Sequence, residues 1–202
     1  YVHNFEDPYE PKALELPSGK GREFQKDIST LLQNIRTQLP KAFESDDYNK
    51  RRLEIIETAE KLRNAIVEQL QAKASAANFS LYTGPFGVSL IPLENGQPMT
   101  EERFRQLSEE QQNAIGERRA ALFKELSESM KSIREIQREA DARIQELDRH
   151  VAHSIVGELV QEIAEKYHSL PDVIRYLRDL ENDIVQNRHL FMPRGGEVPP
   201  FP

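Results

Sequence analysis

The chain contains no cysteine and no tryptophan in its 202 residues. The missing thiols exclude a disulfide framework, a thiolate zinc site and a cysteine nucleophile. Apolar residues are scarce too: 38% are hydrophobic and 7% aromatic, and mean hydropathy is clearly negative. No apolar run approaches the roughly 20 residues that span a bilayer. The opening segment carries Glu6, Asp7, Glu10 and Glu15 among prolines, which no secretory signal does. A cytoplasmic address is the resulting expectation. Positive charge is in deficit, with 27 Lys+Arg against 34 Asp+Glu and a net charge of −7. Duplex DNA is therefore a disfavoured partner, because phosphate neutralisation needs a basic face. What remains is 30% charge around thin apolar stripes, a composition suited to helices with one narrow buried face.

The expected fold is mainly α: a long antiparallel helical coiled coil with a small β-hairpin at one end and short helices at the base. Residues 1–43 read as a strand (Tyr1 to Phe5), a Pro/Gly loop through Pro17-Ser18-Gly19-Lys20-Gly21, and a helix from Arg22 to Leu39. Phe24, Ile28, Leu31, Leu32, Ile35 and Leu39 share one face of that helix, and Pro40 is expected to stop or bend it. An apolar opening strand with no partner in its own sequence, and a chain beginning on Tyr, point to a piece of a longer protein.

Residues 44–168 form the expected coiled-coil insertion. Ser45 is an N-cap, followed by Asp46 and Asp47 where the helix dipole favours negative charge. The stripe Tyr48, Arg52, Ile55, Ala59, Leu62, Ile66, Leu70, Lys73 and Ala77 has a period near 3.5. Two strands around a turn occupy about 79–92, and Asn95-Gly96 makes a further turn. Thr100 caps a brief helix, and Ser108 to Gln111 has the form of a capping box. The stripe that follows runs from Ile115 to Tyr167 without a proline. Such a helix has nowhere to bury its seam alone, so pairing with the first stripe is the economical solution. Gly116 costs about 1 kcal/mol in a helix interior and marks a candidate bend. Residues 169–202 give a return helix, from Pro171 to Arg188, and a Pro/Gly-rich linker.

Candidate chemistry is sparse. Ser18-Gly-Lys-Gly21 is short of a phosphate loop, since Lys20 precedes Gly21 and Arg22 where Ser or Thr is needed. Glu146, His150 and His153 share one side of the long helix at metal-ligand spacing, against the plainer reading of a solvated helix flank. His3, His168 and His189 stand alone. Lys50-Arg51-Arg52 and Arg118-Arg119 read as solvated basic runs. No complete active site, and hence no catalytic, metal or nucleotide-binding residue, is assigned. The apolar residues of the hairpin tip, Phe79, Leu81, Tyr82, Phe86 and Leu90, are candidates for substrate contact. The competing reading makes them a satellite core that caps the coiled coil.

The opening, Tyr-Val-His-Asn-Phe-Glu-Asp-Pro-Tyr-Glu-Pro-Lys-Ala-Leu-Glu-Leu-Pro-Ser-Gly-Lys-Gly-Arg-Glu-Phe, resembles a segment of bacterial Lon-like ATP-dependent proteases whose AAA+ module carries a helical insertion. Asn4, Phe5, Asp7, Pro8, Pro11, Ala13, Leu14, Leu16, Pro17, Gly19, Gly21 and Phe24 carry the likeness. Pro40 to Ser45, Leu147-Asp148-Arg149, Val156-Gly157 and the stretch from Leu170 to Leu177 extend it. The resemblance implies a ring-forming cytoplasmic parent with a Ser-Lys dyad that uses ATP and Mg. It also implies that the phosphate loop precedes Tyr1, and that the protease domain follows Pro202. This chain would then be a non-catalytic substrate-handling or inter-subunit region. Its expected partners are protein substrates and its own neighbouring subunits. The alternative is a free-standing coiled-coil adaptor or scaffold without enzymatic activity.

Overall fold

The structure, a computed structural model, describes residues 1–7, 9–84 and 87–192. Within these it is mainly helical. Helix α1 (Lys20–Phe43) and α2 (Asp46–Ala76) lead into a three-stranded antiparallel sheet. Its strands are β1 (Phe79–Gly84), β2 (Gly87–Glu94) and β3 (Gln97–Pro98). A short α3 (Glu101–Arg105), the 58-residue α4 (Glu109–Lys166) and α5 (Pro171–Gln186) follow.

Local chemistry sets most of these bounds. The Ser45 hydroxyl accepts the Tyr48 backbone N–H at 3.3 Å, and Thr100 accepts that of Arg103 at 3.2 Å. At the start of α4, Ser108 and Gln111 exchange side-chain to backbone bonds at 3.1 and 3.3 Å, the reciprocal pair of a capping box. Asn95 and Gly96 both have positive φ, 51° and 80°. Two such residues make the tight turn whose twist suits adjoining antiparallel strands. They join β2 to β3 through Leu93↔Pro98 and Glu94↔Gln97, so the hairpin expected over 79–92 has a third strand. Asn78, at φ 61°, ends α2 in the left-handed region.

Four expectations need correction. Tyr1 to Phe5 is not a strand: one antiparallel bridge, Val2 with Lys12, is all that forms there. Its two backbone bonds, 2.9 and 3.1 Å, give the segment a partner in its own sequence. Pro40 does not end α1, which continues to Phe43. A proline so near a C-terminus removes a single donor, and Leu39 is fully buried. Leu62 and Lys73 leave the α2 seam; Leu62 is 52% exposed, while Leu70 and Ala74 are buried. Buried positions at the end of α2 advance four residues at a time, and a straight helix drifts off a strict heptad in this way. Helix α5 also ends two residues short of Arg188, which opens a 3-10 turn to Phe191.

The chain divides into two compact units, residues 1–53 with 143–202, and residues 54–142. Both long helices contribute to each. In the first unit, the Tyr48 hydroxyl near the start of α2 donates to Asp148 of α4 at 2.8 Å. In the second, Lys73 near the end of α2 pairs with Glu125 of α4 at 2.6 Å. Ascending α2 thus meets descending α4, the antiparallel pairing that the two stripes predict.

The first unit holds the main core. Phe24, Leu31, Ile35 and Leu39 of α1 pack with Ala152, Val156, Leu159 and Val160 of α4 and with the α5 stripe. That stripe is Val173, Tyr176, Leu177, Leu180 and Ile184, whose three- and four-residue steps put it on one helix face. Pro171 opens α5 where a missing N–H costs nothing. The second unit has a small core of Ala74, Phe79 and Leu90, with Ala77, Leu81, Ile115 and Leu122 against it.

Candidate functional site

The hairpin residues divide by strand alternation. Phe79 and Leu81 lie on one face of β1, opposite Pro92 and Leu90 of β2. That face turns inward: Phe79 is 2% and Leu90 4% exposed, and Leu81 packs beside them against Ala74. Tyr82, one step on, points the other way and is 59% exposed. Of the candidate substrate contacts, Tyr82 is thus presented to solvent, whereas Phe79 and Leu90 sit in the small core. Phe86 lies outside the described residues. The alternation Phe-Ser-Leu-Tyr in the sequence already carries this division.

Beside the sheet, a groove of about 410 Å³ lies between α3 and the first turns of α4. Pro92, Met99, Phe104 and Ile115 supply its apolar lining, and Glu101, Arg105, Gly116 and Arg119 line it from the helices. Nothing in the sequence pattern singles this groove out, because its walls come from a strand end, a loop and two helices. Its flank is stiffened by Arg103, which clasps Glu94 through Nε and Nη2 at 2.8 to 3.1 Å. The guanidinium holds the Glu94 carboxyl below its ordinary range.

In the first unit the Ser18 to Gly21 turn enters α1 with Gly19 at φ 84° as N-cap and no side-chain cap bond. A cavity of about 680 Å³ adjoins it, walled by Leu14, Leu16, Phe24, Ile28 and Tyr176 among others. The Lys20 ammonium pairs with Glu23 at 2.8 Å. Lys166 of α4 reaches the same carboxylate at 2.7 Å and Asp27 at 2.7 Å. The hydrogen bonds from Lys166 and then Lys20 pull the Glu23 carboxyl down to about 2. Tyr167 completes the network by donating to Asp27 at 2.8 Å; burial, then Asp27, pushes its phenol up to about 12.

The remaining titratable candidates do not converge. Glu146 pairs with Arg149 at 3.7 Å, and His153 turns to Glu181 of α5 at 3.4 Å. Among the described residues, no three His, Asp or Glu side chains gather around one position that could hold a metal ion. His3 sets its ring edge-on to Phe5 at 4.9 Å, and His168 Nδ1 lies 2.8 Å from the Glu165 carbonyl. His189 is exposed in the 3-10 turn. Arg51 pairs with Asp47 at 3.1 Å. Among the described residues no helix is long and apolar enough to cross a membrane.

Against known proteins, one relationship appears. The model of the Lon-like LonC helical domain family matches residues 1–31. No curated protein matches the chain. The matched stretch takes in the Val2–Lys12 bridge, the proline-rich loop and the first half of α1. A Lon-like relationship holds for that stretch, which contributes Val2, Phe5, Leu14, Leu16, Phe24 and Ile28 to the main core or its margin.

Proposed function

We propose that this chain is a non-catalytic helical region of a Lon-like, ATP-dependent serine protease of the cytoplasm. In this reading it handles protein substrates or joins neighbouring subunits of a ring-shaped assembly. The family match over residues 1–31 is the observation that carries the proposal. The matched segment is integral to the first unit's core, so the likeness falls on residues that specify a fold. Peptide-bond cleavage and ATP hydrolysis, with its Mg, are assigned to other parts of such a protein. Within this chain the role is mechanical: paired helices are stiff, and they carry a sheet with Tyr82 outward.

The test is fluorescence anisotropy of labelled, permanently unfolded casein titrated with the chain, with and without ATP. Nucleotide-independent binding is expected, with no ATP hydrolysis. Tyr82→Ser is expected to weaken it severalfold at unchanged thermal stability. A chain that binds no unfolded polypeptide and sediments as a monomer at all concentrations would sink the reading and favour an adaptor.

A further inference from the structure

The groove between α3 and α4 has three features that belong together. Its floor is apolar and half-buried, from Pro92, Met99, Phe104 and Ile115. Its rim carries two arginines, Arg105 and Arg119, and one carboxylate, Glu101, in a chain of net charge −7. Arg119 makes no ion pair or hydrogen bond among the described residues. Among the described residues Arg105 pairs with Glu101 of the same lining, at 3.4 Å, with both side chains largely exposed. Glu94, outside the lining, is held by Arg103 at 2.8 Å.

The third feature is Gly116. It lies inside α4, where glycine costs about 1 kcal/mol relative to alanine. A Cβ built there meets no atom within 4 Å, so the protein's own packing does not require glycine. Helix α4 runs through it without interruption, so it is no helix break either. What glycine does provide is bare backbone on the groove wall, open to close approach by another chain.

We infer that this groove docks an extended polypeptide segment bearing a large apolar side chain with a carboxylate close by. The apolar group lies over Phe104 and Ile115, the segment's backbone passes Gly116, and the carboxylate meets Arg119. The volume, about 410 Å³, is within the range of sites that bind small apolar groups. Arg119, the lining cation left without a carboxylate among the described residues, commits the occupant to an acidic-apolar segment. The inference deepens the substrate-handling role proposed above and rests on it for the source of that segment, an unfolded protein.

The probe is a fluorescein-labelled ten-residue peptide with a central Phe-Leu pair flanked by two glutamates, and its counterpart with lysines. The acidic peptide is expected to bind, and the lysine peptide to bind about tenfold more weakly or not at all. Gly116→Leu, which fills the groove, should abolish binding. Gly116→Ala should raise the melting temperature and weaken binding less, separating groove filling from unfolding. Arg119→Glu should lower affinity for the acidic peptide about tenfold and improve that for the lysine one. Equal binding of both peptides, or unchanged binding by Gly116→Leu, overturns the inference. Casein binding without peptide binding overturns the groove and leaves the substrate-handling role standing. Peptide binding without casein binding upholds the groove and sinks that role.

Discussion

The two units are made from the same pair of long helices, yet their interiors differ in kind. Among the described residues, the first unit buries fifteen side chains in one cluster, fourteen from α1, α4 and α5 and one, Tyr167, just past α4. The second clusters three, Ala74, Phe79 and Leu90, where helix ends meet a small sheet. A third and fourth helix make the difference: α1 and α5 cover sides of α4 that a lone antiparallel partner leaves wet. In the second unit Leu62 and Phe123 stay about half exposed, at 52% and 51%. Apolar burial supplies most of the stability of a domain. The first unit is therefore the more heavily cored of the two, and the second is a lightly built structure held by turns, caps and one small core.

The comparison can be broken by substitution. The largest effect is expected from Leu177→Ala, 1% exposed in the first unit, which should cost about 4 kcal/mol in urea unfolding. Phe79→Ala should cost about 3 kcal/mol, less because its neighbours Leu81, Ile115 and Leu122 are only half-buried and can close in. Its hydrogen-exchange signature should be loss of protection confined to residues 54–142. Deprotection spreading into α5 amides would show that the units do not unfold separately. Gly96→Ala places a Cβ at φ 80° and should cost about 1 to 2 kcal/mol, read as loss of protection in β2 and β3 alone.

Smaller effects sharpen the picture of how the first unit is tied together. Tyr48→Phe removes the 2.8 Å bond to Asp148 and should cost about 1 kcal/mol. Burial, then that bond, holds the Tyr48 phenol up to about 12, so its ultraviolet titration should lie above the ordinary tyrosine range. The smallest effect should come from the Glu23 network. Its carboxyl is pulled from 4.5 to about 2 by Lys166 and Lys20. A depressed folded-state value adds stability that is complete above 4.5 and fades as pH falls toward 2. Screening by water keeps this contribution small. Lys166→Met should flatten the acid limb of a stability-against-pH curve between those values; an unchanged curve would remove the network from the account.

Much of the architecture is legible in residue order, and the misreadings have local causes. Ser45, Thr100 and Ser108 with Gln111 mark helix starts because their side chains satisfy backbone donors whatever packs nearby. Asn95-Gly96 declares its turn because both residues tolerate positive φ. The α5 stripe is equally plain. Tyr1 to Phe5 misleads because Val2 and Phe5 are apolar for packing against the helical core rather than for pairing in a sheet: Phe5 lies 5.7 Å from the Tyr176 ring. The candidate contacts were half legible, since alternation separates Tyr82 from Phe79 and Leu81. The groove was not, as Arg119 looks like any solvated basic residue until Phe104 and Ile115 are set beside it.

Sequence alone determined the helical class, the caps, the turn at Asn95-Gly96 and the antiparallel pairing of two long stripes. All of these follow from periodicity and from bonds that close within a few residues. Only the tertiary structure decided which stripe positions are dry, that Phe79 and Leu90 face inward, and that Arg105 and Arg119 flank one apolar floor. Those outcomes depend on surfaces brought together from distant parts of the chain, and short-range patterning cannot specify which distant surface a side chain will meet.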